Sequence, residues 1–304
     1  MSAPNREHLV QQKNGDLKVC VITGATSGIG WAAALKLARL GFSLILIGRD
    51  ERRGAQIFSL VQKRCPGRPH WFFPADLSDL DQVRAVAGSI LKSCPVIDVL
   101  INNAGARFDQ YFESNQAIEL TFATNHLSHF FLTSQLLEPL LAASSGRILN
   151  VSSSAHAGAT KPVSGLMTRQ NYDRRQAYAR SKMANLLFTY ELARRLAGTS
   201  ISVNAMHPGA VASGFARNNG IVSWLKHVIS HGLRRELISP RQGADTVVYL
   251  VASNEVEGTS GSYYFRRKPI DSSPLSRDVA LAGDLWNVSL KLCGMNSFSS
   301  LAEV

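Results

Sequence analysis

A chain of 304 residues that is 45% hydrophobic and 18% charged can bury a large core, and no stretch of it pairs high charge with low hydrophobicity as a disordered segment would. Its 33 lysines and arginines outnumber 22 acids for a net charge of +11, but the basic residues lie in small scattered clusters with no nucleic-acid-binding motif beside them, so a DNA- or RNA-binding role is set aside. Four widely spaced cysteines (Cys20, Cys65, Cys94, Cys293) offer neither a disulfide framework nor a metal-ligand spacing, no metal is expected, and no apolar run reaches the ~18 residues of a membrane span.

The first residues, up to Lys18, are polar and lack the apolar stretch of a signal peptide, so a cytoplasmic location is expected. Lys18–Thr23 reads as a buried strand, and Gly30–Leu40 follows with helical spacing. Ser43–Ile47 and His70–Pro74 are further short apolar runs. Leu77–Leu91 is helical, Val96–Asn102 a strand, and Phe112–Ala143 one long helix or two. Gly146–Ser152 reads as a strand, Ala177–Leu196 as a helix and Ser202–His207 as a strand. This alternation predicts an α/β fold, doubly wound, with a central parallel sheet flanked by helices. Residues 221–238 carry apolar side chains at 221, 224, 225, 228 and 229 and read as an amphipathic helix. Ser239 and Pro240 supply an N-cap and a first-turn proline for a helix through Val251. Ser276–Leu292 is helical, with Gly294 to end it. Repeats and linkers are absent from the sequence, so residues 1–304 read as a single domain with a core over about 17–292.

The first strand–helix junction is Thr23-Gly24-Ala25-Thr26-Ser27-Gly28-Ile29-Gly30. Gly24 permits a tight turn, Gly28 lets backbone approach a pyrophosphate, and Gly30 lets the helix pack closely on the strand. Free N–H groups at the helix start, around Thr26, Ser27 and Ile29, then face the phosphates. Such a loop in this strand–turn–helix setting predicts a dinucleotide cofactor. After the second strand comes Gly48-Arg49-Asp50. The Arg49 guanidinium suits a ribose 2′-phosphate, whereas Asp50 could bind a free 2′-hydroxyl. NADP(H) is preferred over NAD(H) on this ground, and both remain open.

Further motifs follow in order: Asn102-Asn103-Ala104-Gly105 after the fourth strand, Asn125 in a helix, Asn150-Val151-Ser152-Ser153, Tyr178 with Lys182, and Pro208-Gly209. With the glycine loop they resemble the short-chain dehydrogenase/reductase family over roughly residues 17–292. A Tyr–Lys pair four apart shares one helical face, and the ammonium should favour the phenolate and lower a pKa of about 10. Tyr178 would then exchange a proton with an alcohol or carbonyl oxygen, and Ser153 would steady that oxygen. Ser152 and Ser154 are alternatives for the serine. The resemblance implies that Asn125 holds a water linking Lys182 to solvent, and that Lys182 binds the nicotinamide ribose. It also implies that Asp76 and Leu77 contact adenine and that Asn103, Ala104 and Gly105 line the adenosine side. By the same resemblance, Pro208, Gly209, Val211 and Ser213 surround the carboxamide.

The 25-residue gap between Ser153 and Tyr178, with NHLSHFFLT, SKMANLLFTYELARRL and a tail carrying SSPLSRD and LWNVS, is similar to the retinol dehydrogenase branch. That likeness implies NADP(H), an apolar aldehyde or ketone substrate that is retinal-like or medium-chain, and a variable substrate lid over about 213–240. Two departures weigh against a retinoid: no N-terminal membrane anchor, and Trp31 where relatives often place a basic residue. The lid's apolar stripe suits either a lipophilic substrate or peripheral membrane contact, and a homodimer is left open. Two rival readings fit the sequence less well. Sugar-nucleotide epimerases use a different glycine spacing. An NADP(H)-binding sensor without turnover would not need an intact Ser153–Tyr178–Lys182 set.

Overall fold

The structure, a computed structural model, describes residues 17–160, 168–211 and 237–298. Its first five long strands are β1 (Val19–Thr23), β2 (Ser43–Gly48), β3 (Trp71–Pro74), β4 (Val99–Asn102) and β5 (Gly146–Val151). Next come β6 (Ile201–Met206), two short strands β7 (Ala210–Val211) and β8 (Leu237–Ile238), and a hairpin of β9 (Ser262–Phe265) and β10 (Lys268–Pro269). Eight of them form one sheet in the order β10-β9-β6-β5-β4-β1-β2-β3, parallel throughout except for β10. Both edges of the sheet end on a proline: Pro74 closes β3 and Pro269 closes β10.

Side chains alternate across the pleat, so each strand feeds two cores. On β1, Val19 and Val21 point into one cluster while Cys20 and Ile22 point into the other. On β2, Ile45 and Ile47 part from Leu44 and Leu46 in the same way. Helices α1 (Gly28–Arg39), α2 (Glu51–Arg64) and α8 (Pro240–Ala252) cover one face. On the other lie α3 (Leu80–Ser93), α5 (Ser128–Gln135), α7 (Arg174–Arg195) and α9 (Val279–Leu292). The sheet is doubly wound, as the alternation predicts. Because β1 lies between β4 and β2, the chain reverses its direction of winding there, and the carboxyl ends of β1 and β4 open a crevice.

Several local readings hold in detail. Ser239 caps α8 in a capping box with Gln242, and Pro240 opens the helix. Gly294 ends α9 at φ +64, with the Met295 N–H on the Leu290 carbonyl at 2.9 Å. Others are corrected. Phe112 is exposed and precedes the helix, because the buried Glu119 carboxylate caps the amides of Thr121 and Phe122 and starts the first turn, α4 (Leu120–Phe122). A π-helical segment, Ala123–Leu127, then carries the chain into α5, and a break at Leu136 separates the short helix α6 (Leu137–Leu141). The helix read over 221–238 lies mostly outside the described residues. Leu237–Ile238 at its end is instead a strand, paired in parallel with Ala210–Val211. Packing also runs past residue 292: Phe298 is buried against Trp286, ring centroids 4.5 Å apart. Among the described residues no helix is long and apolar enough to cross a membrane.

Candidate active site

The glycine loop is shaped by close approach. Gly24 has φ +66, and a Cβ there would sit 2.9 Å from the Ala104 Cα. At Gly30 a Cβ would sit 2.4 Å from the Gly24 carbonyl oxygen. No larger residue fits either place without moving backbone. Thr23 locks this loop to the β4 turn: its hydroxyl donates to the Ile101 carbonyl at 3.2 Å and accepts from the amides of Asn103 (2.8 Å) and Ala104 (2.9 Å). Asn103 completes the lock by donating to the Thr23 carbonyl at 2.8 Å.

Gly48 likewise lets Thr26 approach, since a Cβ there would meet the Thr26 methyl at 2.6 Å. Beyond it Arg49 is largely exposed, 3.9 Å from the Asp76 carboxylate. Asp50 is committed elsewhere: it caps α2 by accepting from the Arg53 amide at 2.9 Å, and its other oxygen lies 3.4 Å from the Arg53 guanidinium. Asp76 accepts from the Ser78 amide and hydroxyl, at 3.0 and 2.7 Å, and Leu77 is buried beside it.

At the other end, Ser153 and Tyr178 line the cleft together, the serine hydroxyl near enough to act on the phenol. All three adjacent serines line the cleft, but the Ser152 hydroxyl is spent on the Lys182 carbonyl at 2.8 Å and Ser154 is exposed. Lys182 is buried, and its ammonium donates to the Val151 carbonyl at 2.9 Å and stands 5.9 Å from the Tyr178 ring centre. Burial pushes this ammonium down to about 7. The phenol of Tyr178 does not move as the sequence suggests. Burial raises its pKa, while the hydrogen bond with Ser153 and the charge of Arg107 pull it back. Desolvation outweighs the neighbouring cations, and the tyrosine keeps its proton at neutral pH.

Asn125 lies in the π-helical segment, a distortion often found at functional sites. Its side chain makes three hydrogen bonds to protein. The oxygen accepts from the Ala106 amide at 2.7 Å, and the nitrogen donates to the Ala106 carbonyl and the Ser181 hydroxyl, each at 2.9 Å. Asn125 therefore fixes the irregular segment after β4 at Ala106. His126 and His129 on either side are buried, as packing residues would be. Two asparagines of the sequence motifs face the core instead of the crevice. Asn102 donates to Thr133 (3.0 Å) and Asn150 (2.9 Å), and Asn150 donates to Thr189 (2.9 Å), stitching β4 and β5 to α5 and α7.

One cleft of about 1290 Å³ joins these groups. It runs from Arg49 and Asp76 past the glycine loop to Ser153, Tyr178 and Lys182, and Pro208, Gly209 and Val211 close one wall. Ser213 lies outside the described residues. Trp31 packs on the core beneath α1. The volume exceeds the ~300–1,000 Å³ of an ordinary small-ligand pocket and has room for a dinucleotide with a second molecule. The residues fit a nicotinamide dinucleotide, because only glycine can occupy the two places where the loop closes on the neighbouring backbone.

The sequence profile of the family described as short chain dehydrogenase matches residues 18–221. The chain belongs to the short-chain dehydrogenase/reductase family. It is similar to retinol dehydrogenase 14 of Homo sapiens, 36% identical over 291 residues and covering 91% of this chain and 87% of that one. Retinol dehydrogenase 12 of Homo sapiens is also 36% identical, over 278 residues, with the same coverage. Among solved structures, an uncharacterised protein from Mycobacterium paratuberculosis superposes with a TM-score of 0.72 at 31% identity, covering 92% of this chain and 94% of that one. This short-chain dehydrogenase/reductase is thus retinol dehydrogenase-like and an oxidoreductase. Its family works with a nicotinamide cofactor on small alcohols and carbonyl compounds.

His156, which the sequence places near the site as an ordinary loop histidine, lies behind the cleft: it donates through Nδ1 to the Ser153 carbonyl at 2.7 Å and accepts at Nε2 from the Ser273 amide at 3.2 Å, so it ties the Ser153 turn to the C-terminal segment. Sequence reading missed several residues of the cleft. Arg53, Arg107, Arg175, Phe265 and Arg266 all line the cleft as well. No motif marks them, because only the folded chain brings residues 53, 107, 175 and 266 to one crevice.

Proposed function

We propose that this enzyme reduces an apolar aldehyde or ketone with NADPH, and oxidises the matching alcohol when the cofactor ratio reverses. The observation that carries the reading is that Ser153, Tyr178 and the buried Lys182 line the same cleft as the glycine loop. A bound nicotinamide supplies or accepts the hydride. Tyr178, Lys182 and the backbone around Gly105 and Pro208–Gly209 hold its ring and ribose, while Gly24, Thr26, Ser27, Gly28, Ile29 and Gly30 take the pyrophosphate. Asp76, Leu77, Asn103 and Ala104 take the adenosine.

Ser153 hydrogen-bonds the substrate oxygen and steadies negative charge as it grows there. Tyr178, held in its phenol form by burial, gives that oxygen a proton. Lys182, near half-charged at neutral pH, sits where a replacement proton can pass toward Tyr178. Asn125 acts by holding Ala106 and the turn against which the reactants rest. Arg49 favours a 2′-phosphate, because Asp50 is occupied as the cap of α2 and is not free to select a 2′-hydroxyl. Apolar substrate matter is supported by Phe108, Leu120, Val211, Ile238 and Phe265 along the catalytic half of the cleft.

The test follows reduced-nicotinamide absorbance with NADPH and NADH against all-trans-retinal, medium-chain aldehydes and aromatic ketones. NADPH turnover should fall by about 10²–10⁴-fold in Tyr178→Phe. Arg49→Glu should erase the preference for NADPH over NADH. Tight NADPH binding with no turnover across the panel would replace the enzyme reading with that of a cofactor sensor.

A further inference from the structure

Ser153 stands at the start of a single helical turn, Ser154–Gly158, and caps it: its hydroxyl oxygen accepts the Ala155 amide at 3.2 Å. Accepting there leaves the hydroxyl proton to be donated into the cleft. The two ends of this stretch are tied directly to α7. The Ser152 hydroxyl donates to the Lys182 carbonyl at 2.8 Å, and the Gln176 side-chain amide donates to the Gly158 carbonyl at 3.0 Å.

Between those ties the turn is fastened by another route. The Ser153 carbonyl accepts from the His156 amide at 3.1 Å and from its Nδ1 at 2.7 Å, while Nε2 meets the Ser273 amide at 3.2 Å. An amide N–H can only donate, so Nε2 carries the lone pair and the single ring proton sits on Nδ1. Burial lowers the imidazole's pKa and keeps it in this neutral form. The Tyr263 ring stands edge-on to the imidazole, at 87° and 5.3 Å between centres, and fixes its plane.

Ser273 belongs to the link between β10 and α9, and that link is itself fastened to α7. Its neighbour Ser272 shares a hydrogen bond with the Tyr190 hydroxyl at 2.7 Å, farther along α7 than Tyr178. The Ser276 hydroxyl, 2.7 Å from that of Ser272, donates to the Ser273 carbonyl at 2.6 Å, and the Arg277 guanidinium lies 5.7 Å over the Tyr190 ring. A circuit therefore closes: along α7 from Tyr178 to Tyr190, through Ser272 and Ser273 to His156, and back to Ser153.

We propose that His156 is a positioning residue for Ser153: it joins the turn to the β10–α9 link, which acts as a brace holding the serine in register with Tyr178. The inference rests on the proposed reductase reading, in which both hydroxyls meet one substrate oxygen. The ties at Ser152 and Gly158 set where the turn begins and ends. The brace sets how the serine is aimed, from behind the cleft wall. Loosening it slows the reaction and leaves the cofactor in place, because turnover is far more sensitive than binding to a small misplacement.

The experiment uses two variants of the full chain with NADPH and the best-reduced aldehyde of the panel. His156→Asn keeps a donor for the Ser153 carbonyl but is too short to reach Ser273, and Tyr190→Phe removes only the hydroxyl on Ser272. His156→Asn should lower kcat about ten-fold and Tyr190→Phe less, with the aldehyde KM and the NADPH Kd both within about three-fold of wild type. The double variant should be no slower than His156→Asn alone, because one circuit is cut twice. Wild-type kcat in His156→Asn would overturn the proposal by showing that the bond to the Ser153 carbonyl suffices. Additive losses would overturn it too, and so would a loss of rate matched by a loss of NADPH affinity. Amide hydrogen exchange over residues 152–158 is followed in parallel without substrate. It should quicken in both variants, although the Tyr190 hydroxyl bonds Ser272 and not the turn, and exchange that stays at the wild-type level would overturn the brace whatever the kinetics. Quickened exchange in a protein whose wild type reduces no carbonyl would sustain the brace and refute the reductase reading instead.

Discussion

Replacing Lys182 by methionine should stabilise the protein in the absence of cofactor, and the gain should shrink as pH rises. Lys182 is 3% exposed, and burial lowers its pKa from 10.5 to about 7. A displacement of about 3.5 pH units corresponds to about 5 kcal/mol at 1.36 kcal/mol per unit. From about pH 7 to 10.5 the folded protein binds fewer protons here than the unfolded chain, so stability rises with pH across that window. Below it the penalty is constant and largest. Methionine removes the penalty and fills similar space. The Val151 carbonyl keeps a partner, because Asn185 also donates to it, at 3.3 Å. Urea unfolding of both proteins at pH 7, 8 and 9 isolates the lysine, since other titrating groups cancel in the difference. The variant should be more stable by several kcal/mol at pH 7, with the gap closing by about 2 kcal/mol at pH 9. A gap that stays constant or widens with pH would refute the account of a lysine neutralised by burial.

Three further outcomes follow from the same geometry. Gly30→Ala, whose Cβ would lie 2.4 Å from the Gly24 carbonyl, should weaken NADPH binding by about ten-fold or more in a fluorescence titration, whereas Gly88→Ala, with open space around it, should not. Asn125→Ala should remove about 3 kcal/mol or more of unfolding free energy, because it leaves both polar groups of Ala106 buried without their partner; a loss below about 1 kcal/mol would show that the turn finds another anchor. His207 is held neutral by burial, with its pKa pushed down to about 4, so stability present above pH 6.5 is lost as pH falls toward 4. His207→Phe keeps the stack on Phe265 and should lose less stability across that window in acid titrations followed by circular dichroism; parallel curves would argue against a neutral His207.

The architecture was legible wherever a rule acts within a few residues. Ser239-Pro240 announces its helix because the cap bonds only three residues ahead. The glycine loop is legible because its spacing reflects backbone approach across a single turn. Two local features still escaped. The helix Glu51–Arg64 is not evident from its spacing, although Gly54 packs directly beneath Phe72, since it buries only Gly54, Ile57 and Val61 while Ala55, Phe58 and Leu60 on its outer sides blur the apolar stripe. Phe112–Ala143 reads as helix throughout because its apolar spacing cannot reveal the Glu119 cap or the π-helical turn at Asn125. At the site, Tyr178 and Lys182 share a helical face and could be paired from their spacing. The sign of the tyrosine's pKa could not, because it turns on how dry the pocket is and not on which cation is near. The role of His156 was illegible for a further reason: its partner Ser273 lies across the fold.

Pro74 and Pro269, at the two margins of the sheet, bear on how copies of this protein can meet. A proline offers no N–H to an incoming strand, and β10 adds only two residues of ladder, running against the rest. Each margin therefore withholds one ladder N–H at its end, which blunts it as a template for an incoming strand. Blunted margins of this kind discourage edge-on pairing between copies, and so protect the parallel core from that route to aggregation.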